Sequence, residues 1–153
     1  MKRKNLLALH IAATIIGTIT ISTFFILSLR AELVADKMQI KAVKTGILYA
    51  LPILVIAMPS LAISGKKLAG KSKHPIILKK LKRMKLVMIN GIILISLVIF
   101  LYYRAIYKSI DNIFLYAQIA ELIFGLSNLT LIGINIKSGL QLSGKLKNKV
   151  KGP

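Results

Sequence analysis

The sequence predicts an all-α fold, a polytopic membrane protein arranged as an up-down four-helix transmembrane bundle, and three observations carry that prediction. Hydrophobic residues make up 56% of the 153-residue chain and charged residues 18%, where a water-soluble domain carries about a quarter charged residues. The apolar residues fall into four runs of membrane-spanning length. The cations lie between the runs and are shared out unequally: residues 66–85 hold Lys66, Lys67, Lys71, Lys73, Lys79, Lys80, Lys82, Arg83 and Lys85 with no acid. Lys and Arg beside membrane segments stay on the cytoplasmic side, so this run sets the direction of every helix.

The first helix is expected over residues 6–29, with Lys2, Arg3 and Lys4 before it and Arg30 after it. That length exceeds the apolar core of a signal peptide, so the segment reads as an uncleaved signal anchor. The second is expected over residues 45–64, the third over 86–103 and the fourth over 113–136. At 1.5 Å per residue each can cross roughly 30 Å of hydrocarbon, the third only just. Residues 1–137 then form one transmembrane domain, and 138–153 a basic cytoplasmic tail rich in Lys, Gly and Ser.

Charge placement fixes the orientation. The N-terminus, middle loop and tail together hold 17 of the 23 cations, and the two remaining loops hold six, Lys44 among them. Both termini are therefore expected in the cytoplasm of a multi-pass cell-membrane protein. Tyr102, Tyr103, Tyr107 and Tyr116 fall around the outer ends of helices three and four, where an interfacial aromatic belt belongs. Outer loops of about 10 to 15 residues make neighbouring helices antiparallel.

The net charge of +19 raises nucleic-acid binding, but the cations occupy gaps between apolar runs and not one folded basic face, so no nucleic-acid partner is expected. The expected partners are the bilayer and anionic lipid headgroups, held by Lys66, Lys67, Lys71, Lys73, Lys79, Lys80, Lys82 and Arg83. The absence of Cys excludes disulfides, thiolate metal sites and thiol catalysis.

Two motif matches lack the context that gives them meaning. Residues 65–72 fit G-x-x-x-x-G-K-[ST], yet a membrane helix precedes them where a strand should, and Pro75 breaks the stretch where a helix should continue from them. Asn128-Leu129-Thr130 fits the glycosylation pattern but lies inside the fourth apolar run.

Helix four carries the more informative pattern. Gln118, Glu121, Gly125, Asn128, Ile132 and Asn135 recur at spacings of three and four, placing a polar stripe on one face that must look into the bundle or onto a dimer partner. A charge near the bilayer centre costs roughly 2.5 to 3.5 kcal/mol on insertion scales, so Glu121 is expected to be protonated, paired or beside water. On helix one His10, Thr14, Gly17 and Ile21 share a face, and Asn90, Asn135 and Ser64 lie at similar depth, where an inner polar layer can form; His10 is expected to bond to one of these partners or to water. Pro52 and Pro59 lie seven apart on helix two and free backbone carbonyls there.

The arrangement of Leu9-His10 early in helix one, then Gly17, Arg30-Ala31-Glu32, Pro52, Pro59 and a basic loop leading into Lys85-Leu86 resembles the copper-resistance D-type proteins and the membrane-bound protoporphyrinogen oxidases of four-helix type. The resemblance covers the layout of helices one to three and implies haem, with His10 as candidate ligand. The chain has no Trp, no second membrane His and no Asn-Glu-x-Pro.

Three functional readings are open. The residues themselves predict no catalytic pair, no metal site and no cofactor, which favours a non-enzymatic membrane protein serving assembly, a partner or lipid binding. The alternative is a small transporter or permease subunit using Glu121 in a polar intramembrane path; it calls for a homodimer, because four helices enclose little volume. The third is a haem or redox-associated protein with His10 as ligand, opposite Met58 or Met88.

Overall fold

The computed structural model describes residues 2–144 and 146, which form four α-helices: α1 (Arg3–Val34), α2 (Lys37–Ala69), α3 (Pro75–Tyr107) and α4 (Asn112–Leu142). No strand occurs among the described residues. All four helices are long and apolar enough to cross a membrane, so the chain is a small multi-pass membrane protein with an all-α bundle fold.

Every helix runs past the apolar segment that announces it. Charged residues mark where lipid contact ends, but Lys, Arg, Glu and Ala are good helix formers, so backbone hydrogen bonding continues through the headgroup region. The connections expected on the outer side are consequently far shorter than the 10 to 15 residues expected: Ala35 and Asp36 alone join α1 to α2, and residues 108–111 join α3 to α4. The basic run is itself mostly helical, with only residues 70–74 between α2 and α3. Residues 65–69 of the phosphate-loop match lie in α2, so no cradle of backbone amides forms there. The expected tail is divided: residues 138–142 continue α4, while 145 and 147–153 lie outside the described residues.

The turns are built from specific caps. Ala35 adopts the left-handed conformation (φ 56°) and its N–H closes α1 onto the carbonyls of Ala31 and Glu32. Asp36 caps α2 by accepting from the Met38 N–H at 3.1 Å. Asp111 caps α4 by accepting from the Phe114 N–H at 3.1 Å, and its other oxygen takes the Arg104 guanidinium at 2.6 Å and the Ser109 hydroxyl at 2.9 Å. The Phe114 N–H first, and then Ser109 and Arg104, hold the Asp111 carboxyl below its ordinary value of 3.8. A depressed carboxyl stabilises the fold above its ordinary pKa and loses that contribution as pH falls through the lower, folded value. The Phe114 amide shift is therefore expected to titrate with a midpoint below 3.8, and in Asp111→Asn it should be flat. A midpoint at or above the ordinary value would contradict the cap.

The helices pack in a ring: α1 contacts α2 and α4, and α3 contacts α2 and α4, leaving α1–α3 and α2–α4 as diagonals. Apolar layers contributed by all four helices fill two levels. Ala31, Ile40, Leu101, Ala105 and Phe114 form one near the short connections; Ile21, Leu54, Met58, Val87 and Ile132 form another nearer the basic end. The outer surface is as apolar as the interior, with Ile19, Ile56, Ile92 and Ile123 all exposed, which suits lipid as the surrounding solvent. Tyr103, Tyr107 and Tyr116 are exposed at the end with the short connections, and Tyr102 and Tyr107 meet edge-on at 6.3 Å.

Candidate functional site

The centre of the molecule is an ion pair. Lys44, counted from the sequence as an outer-loop cation, lies two turns inside α2 and is 1% exposed, and its Nζ donates to Glu121 Oε2 at 2.6 Å. Ile40, Ile47, Leu51 and Leu54 make the same face of α2 the buried one, so Lys44 is carried into the core by its neighbours. Its Nζ also donates to Ser28 Oγ on α1 at 3.0 Å, while Gln118 Nε2 donates to Glu121 Oε2 at 2.9 Å. Glu121 is thus paired within the bundle. The contact spans the α2–α4 diagonal, where the two backbones do not approach each other, and draws α1 in through Ser28.

The polar stripe of α4 faces inward along its length: Gln118, Glu121, Gly125, Asn128 and Ile132 are buried, and Asn135 is half-buried. Asn128, two turns deeper than Glu121, is wholly buried, and neither its Oδ1 nor its Nδ2 has a hydrogen-bond partner among the described residues. Glu121 and Asn128 line one cavity of about 150 Å³ whose other walls are chiefly apolar side chains from all four helices. Gly125 between them leaves room for it: a Cβ there would sit 3.6 Å from the Phe25 ring.

Of the polar residues expected near His10, Ser64 is the one that bonds it. His10 Nδ1 and Ser64 Oγ are 3.0 Å apart. Ser64 Oγ also lies 2.6 Å from the Ser60 carbonyl and 3.1 Å from that of Leu61, which fixes the hydroxyl on the α2 backbone. Asn90 instead donates to Ser127 Oγ at 3.2 Å, and Asn135 accepts from Arg83 at 3.3 Å and donates to the Lys80 carbonyl at 3.3 Å. Each side chain finds its partner on the adjacent helix, because at this depth the centre of the ring is filled by Met84, Val87 and Ile132. His10 sits against Gly65 and beside Met84, whereas Met58 and Met88 line the cavity that His10 does not reach. The His10 pairing with Met58 or Met88 is therefore not assembled in this arrangement. Among the described residues no three His, Asp or Glu side chains converge as a metal site.

The basic residues divide in two. Lys66, Lys67, Lys71, Lys73, Lys79, Lys82 and Lys85 are exposed. Arg83 turns to α4, donating to Ser138 Oγ at 3.0 Å as well as to Asn135, and Lys80 is half-buried against Gly139.

Sequence reasoning missed Lys44 and Ser28. A signal existed, since Lys44 interrupts the 4-3-4-3 apolar spacing of Ile40, Ile47, Leu51 and Leu54, but ending a span at its first charge hides it. The chain matches no protein-family model, no curated protein and no solved structure.

Proposed function

We propose that the chain is a non-enzymatic membrane protein whose basic end lies on the cytoplasmic face and gathers anionic lipid headgroups. The observation that carries this reading is the segregation of charge: seven exposed lysines crowd residues 66–85, while all four acids of the chain lie toward the opposite end or in its interior. Lysines near an anionic leaflet attract it by roughly 1 kcal/mol each, and the attraction falls with ionic strength. Both termini lie on that same cytoplasmic side. In vesicles containing phosphatidylcholine and phosphatidylglycerol, spin-labelled phosphatidylglycerol should associate with the protein several-fold more than the labelled choline lipid. Gln at positions 66, 67, 71 and 73 should weaken the preference, and raised salt should remove it. Equal association of both lipids at low salt would overturn the reading. Because the chain has no native Cys, a single Ser72→Cys labels the loop directly, and reagent confined to the cytoplasmic side should be the one that reaches it.

A second reading, a transporter subunit using Glu121, is favoured by Glu121 and Asn128 lining one cavity. It requires pH-dependent flux in proteoliposomes that Glu121→Gln abolishes at equal amounts of folded protein.

A further inference from the structure

Two cations of the basic end turn away from their exposed neighbours and onto α4. Lys80 and Arg83 lie three apart on α3, so they share a face, and their tips end against successive residues of the facing helix. Arg83 Nη1 donates to Ser138 Oγ at 3.0 Å and to Asn135 Oδ1 at 3.3 Å. Lys80 Nζ lies beside Gly139, which leaves room for it: a Cβ there would sit 3.3 Å from the ammonium. Asn135 also donates to the Lys80 carbonyl at 3.3 Å, and so fixes the register that brings both cations to one place.

This pair lacks an anion. Lys80 is half-buried, yet its ammonium has no hydrogen-bond partner among the described residues, and of the Arg83 nitrogens only Nη1 has one. A partly buried charge is costly until an opposite one answers it, and a lysine fixed against protein gives up rotamer freedom besides. No carboxylate side chain of the chain answers it. Glu32, Asp36 and Asp111 lie toward the short connections at the opposite end, and Glu121 is bound to Lys44. The unused donors are open to a guest, since neither the ammonium nor the remaining guanidinium nitrogens are sealed from solvent.

Depth and donor type decide which anion fits. Lys80 and Arg83 stand six and three residues ahead of Leu86, where the apolar run begins, which is roughly 5–9 Å beyond the hydrocarbon and so at headgroup depth. A guanidinium offers a planar fork that matches phosphate oxygens, and an ammonium adds a compact point charge. Two cations balance the double charge of a phosphomonoester. A phosphodiester brings only one negative charge, and a choline lipid brings a cation of its own.

We propose that Lys80 and Arg83 form a discrete phosphomonoester site in the α3–α4 seam, which takes the headgroup of a monoester lipid or a soluble phosphate. The proposal deepens the lipid reading and rests on it for the lipid source alone. It differs from the diffuse pull of the exposed lysines in depending on these two side chains.

The test is ³¹P NMR on the full-length chain in neutral detergent micelles at about pH 8, where a phosphomonoester is mostly doubly charged. One arm titrates phosphatidic acid against phosphatidylglycerol at equal micellar mole fraction; the other titrates glycerol 3-phosphate against dimethyl phosphate without lipid. The wild type is expected to bind the monoester saturably and roughly tenfold or more tighter than the diester in at least one arm. Preference in the lipid arm alone assigns the site to a headgroup, in the soluble arm alone to a free phosphate, and in both to the phosphate whatever carries it. Lys80→Gln and Arg83→Gln should each bring the two affinities within about twofold. Should Arg83→Gln fail to fold, Lys80→Gln still decides, because the ammonium makes no bond that folding would lose. Gln at positions 66, 67, 71 and 73 should weaken both lipids and leave their ratio unchanged, so loss of the diffuse attraction and loss of this site are read separately. A monoester preference in neither arm, one that survives Lys80→Gln, or one that the four Gln substitutions abolish each overturns the proposal.

Discussion

Glu121→Gln is expected to destabilise the folded bundle by about 3–5 kcal/mol, because it strands the Lys44 ammonium in a site that is 1% exposed. Lys44→Met should cost a similar amount by stranding the carboxylate. Replacing both, as Lys44→Met with Glu121→Leu, should recover most of the loss, because an apolar pair of similar volume avoids the desolvation of two charges. Equilibrium unfolding in mixed SDS micelles measures all three. Single variants within about 1 kcal/mol of the wild type would show that the diagonal contact contributes little.

Gly65→Ala is the second substitution with a large expected effect. An Ala is a better helix former than Gly by about 1 kcal/mol, so on propensity alone the change should stabilise α2. The added Cβ, however, would lie 2.6 Å from Met84 Sδ and 3.1 Å from His10 Cε1. The Met84 tip is flexible, but it is itself buried, and the more rigid His10 ring must shift from Ser64; overpacking of this kind costs about 1–3 kcal/mol. The net change is expected to be destabilising in the wild type and stabilising in a Met84→Ala background, where the closest obstruction is gone and the His10 ring has room to give. A double-mutant cycle reads the coupling directly. The same sign in both backgrounds would mean that the close approach of α2 to α3 imposes no constraint.

These two positions show where sequence reasoning reaches and where it stops. The inward face of α4 was legible because Gln118, Glu121, Gly125, Asn128 and Ile132 repeat with the period of a helix, and polar groups in an apolar segment have only the interior to face. Four membrane helices were legible from hydropathy alone. The partner of Glu121 was not, since Lys44 lies 77 residues away on a helix with which α4 shares no backbone contact. Local periodicity carries no information about diagonal pairs. Nor could the sequence tell that Asn90 would choose Ser127, because Ser127 lies outside the polar stripe and depends on how α3 and α4 rotate against each other. Gly65 looked like part of a loop motif, and only the packing of Met84 explains why a side chain is excluded there.

The Lys44–Glu121 contact also bears on how the chain is born. Lys44 belongs to the α1–α2 hairpin and Glu121 to the α3–α4 hairpin, so the first half enters the bilayer before its counter-ion exists. Lys44 stands seven residues inside α2, roughly 10 Å from the helix start, and its methylene stem lets the ammonium reach back toward the headgroups while it waits. Arrival of the second hairpin withdraws that ammonium from the interface and closes it inside the protein. The first hairpin on its own thus carries one cation, Lys44, that the finished bundle keeps in its interior.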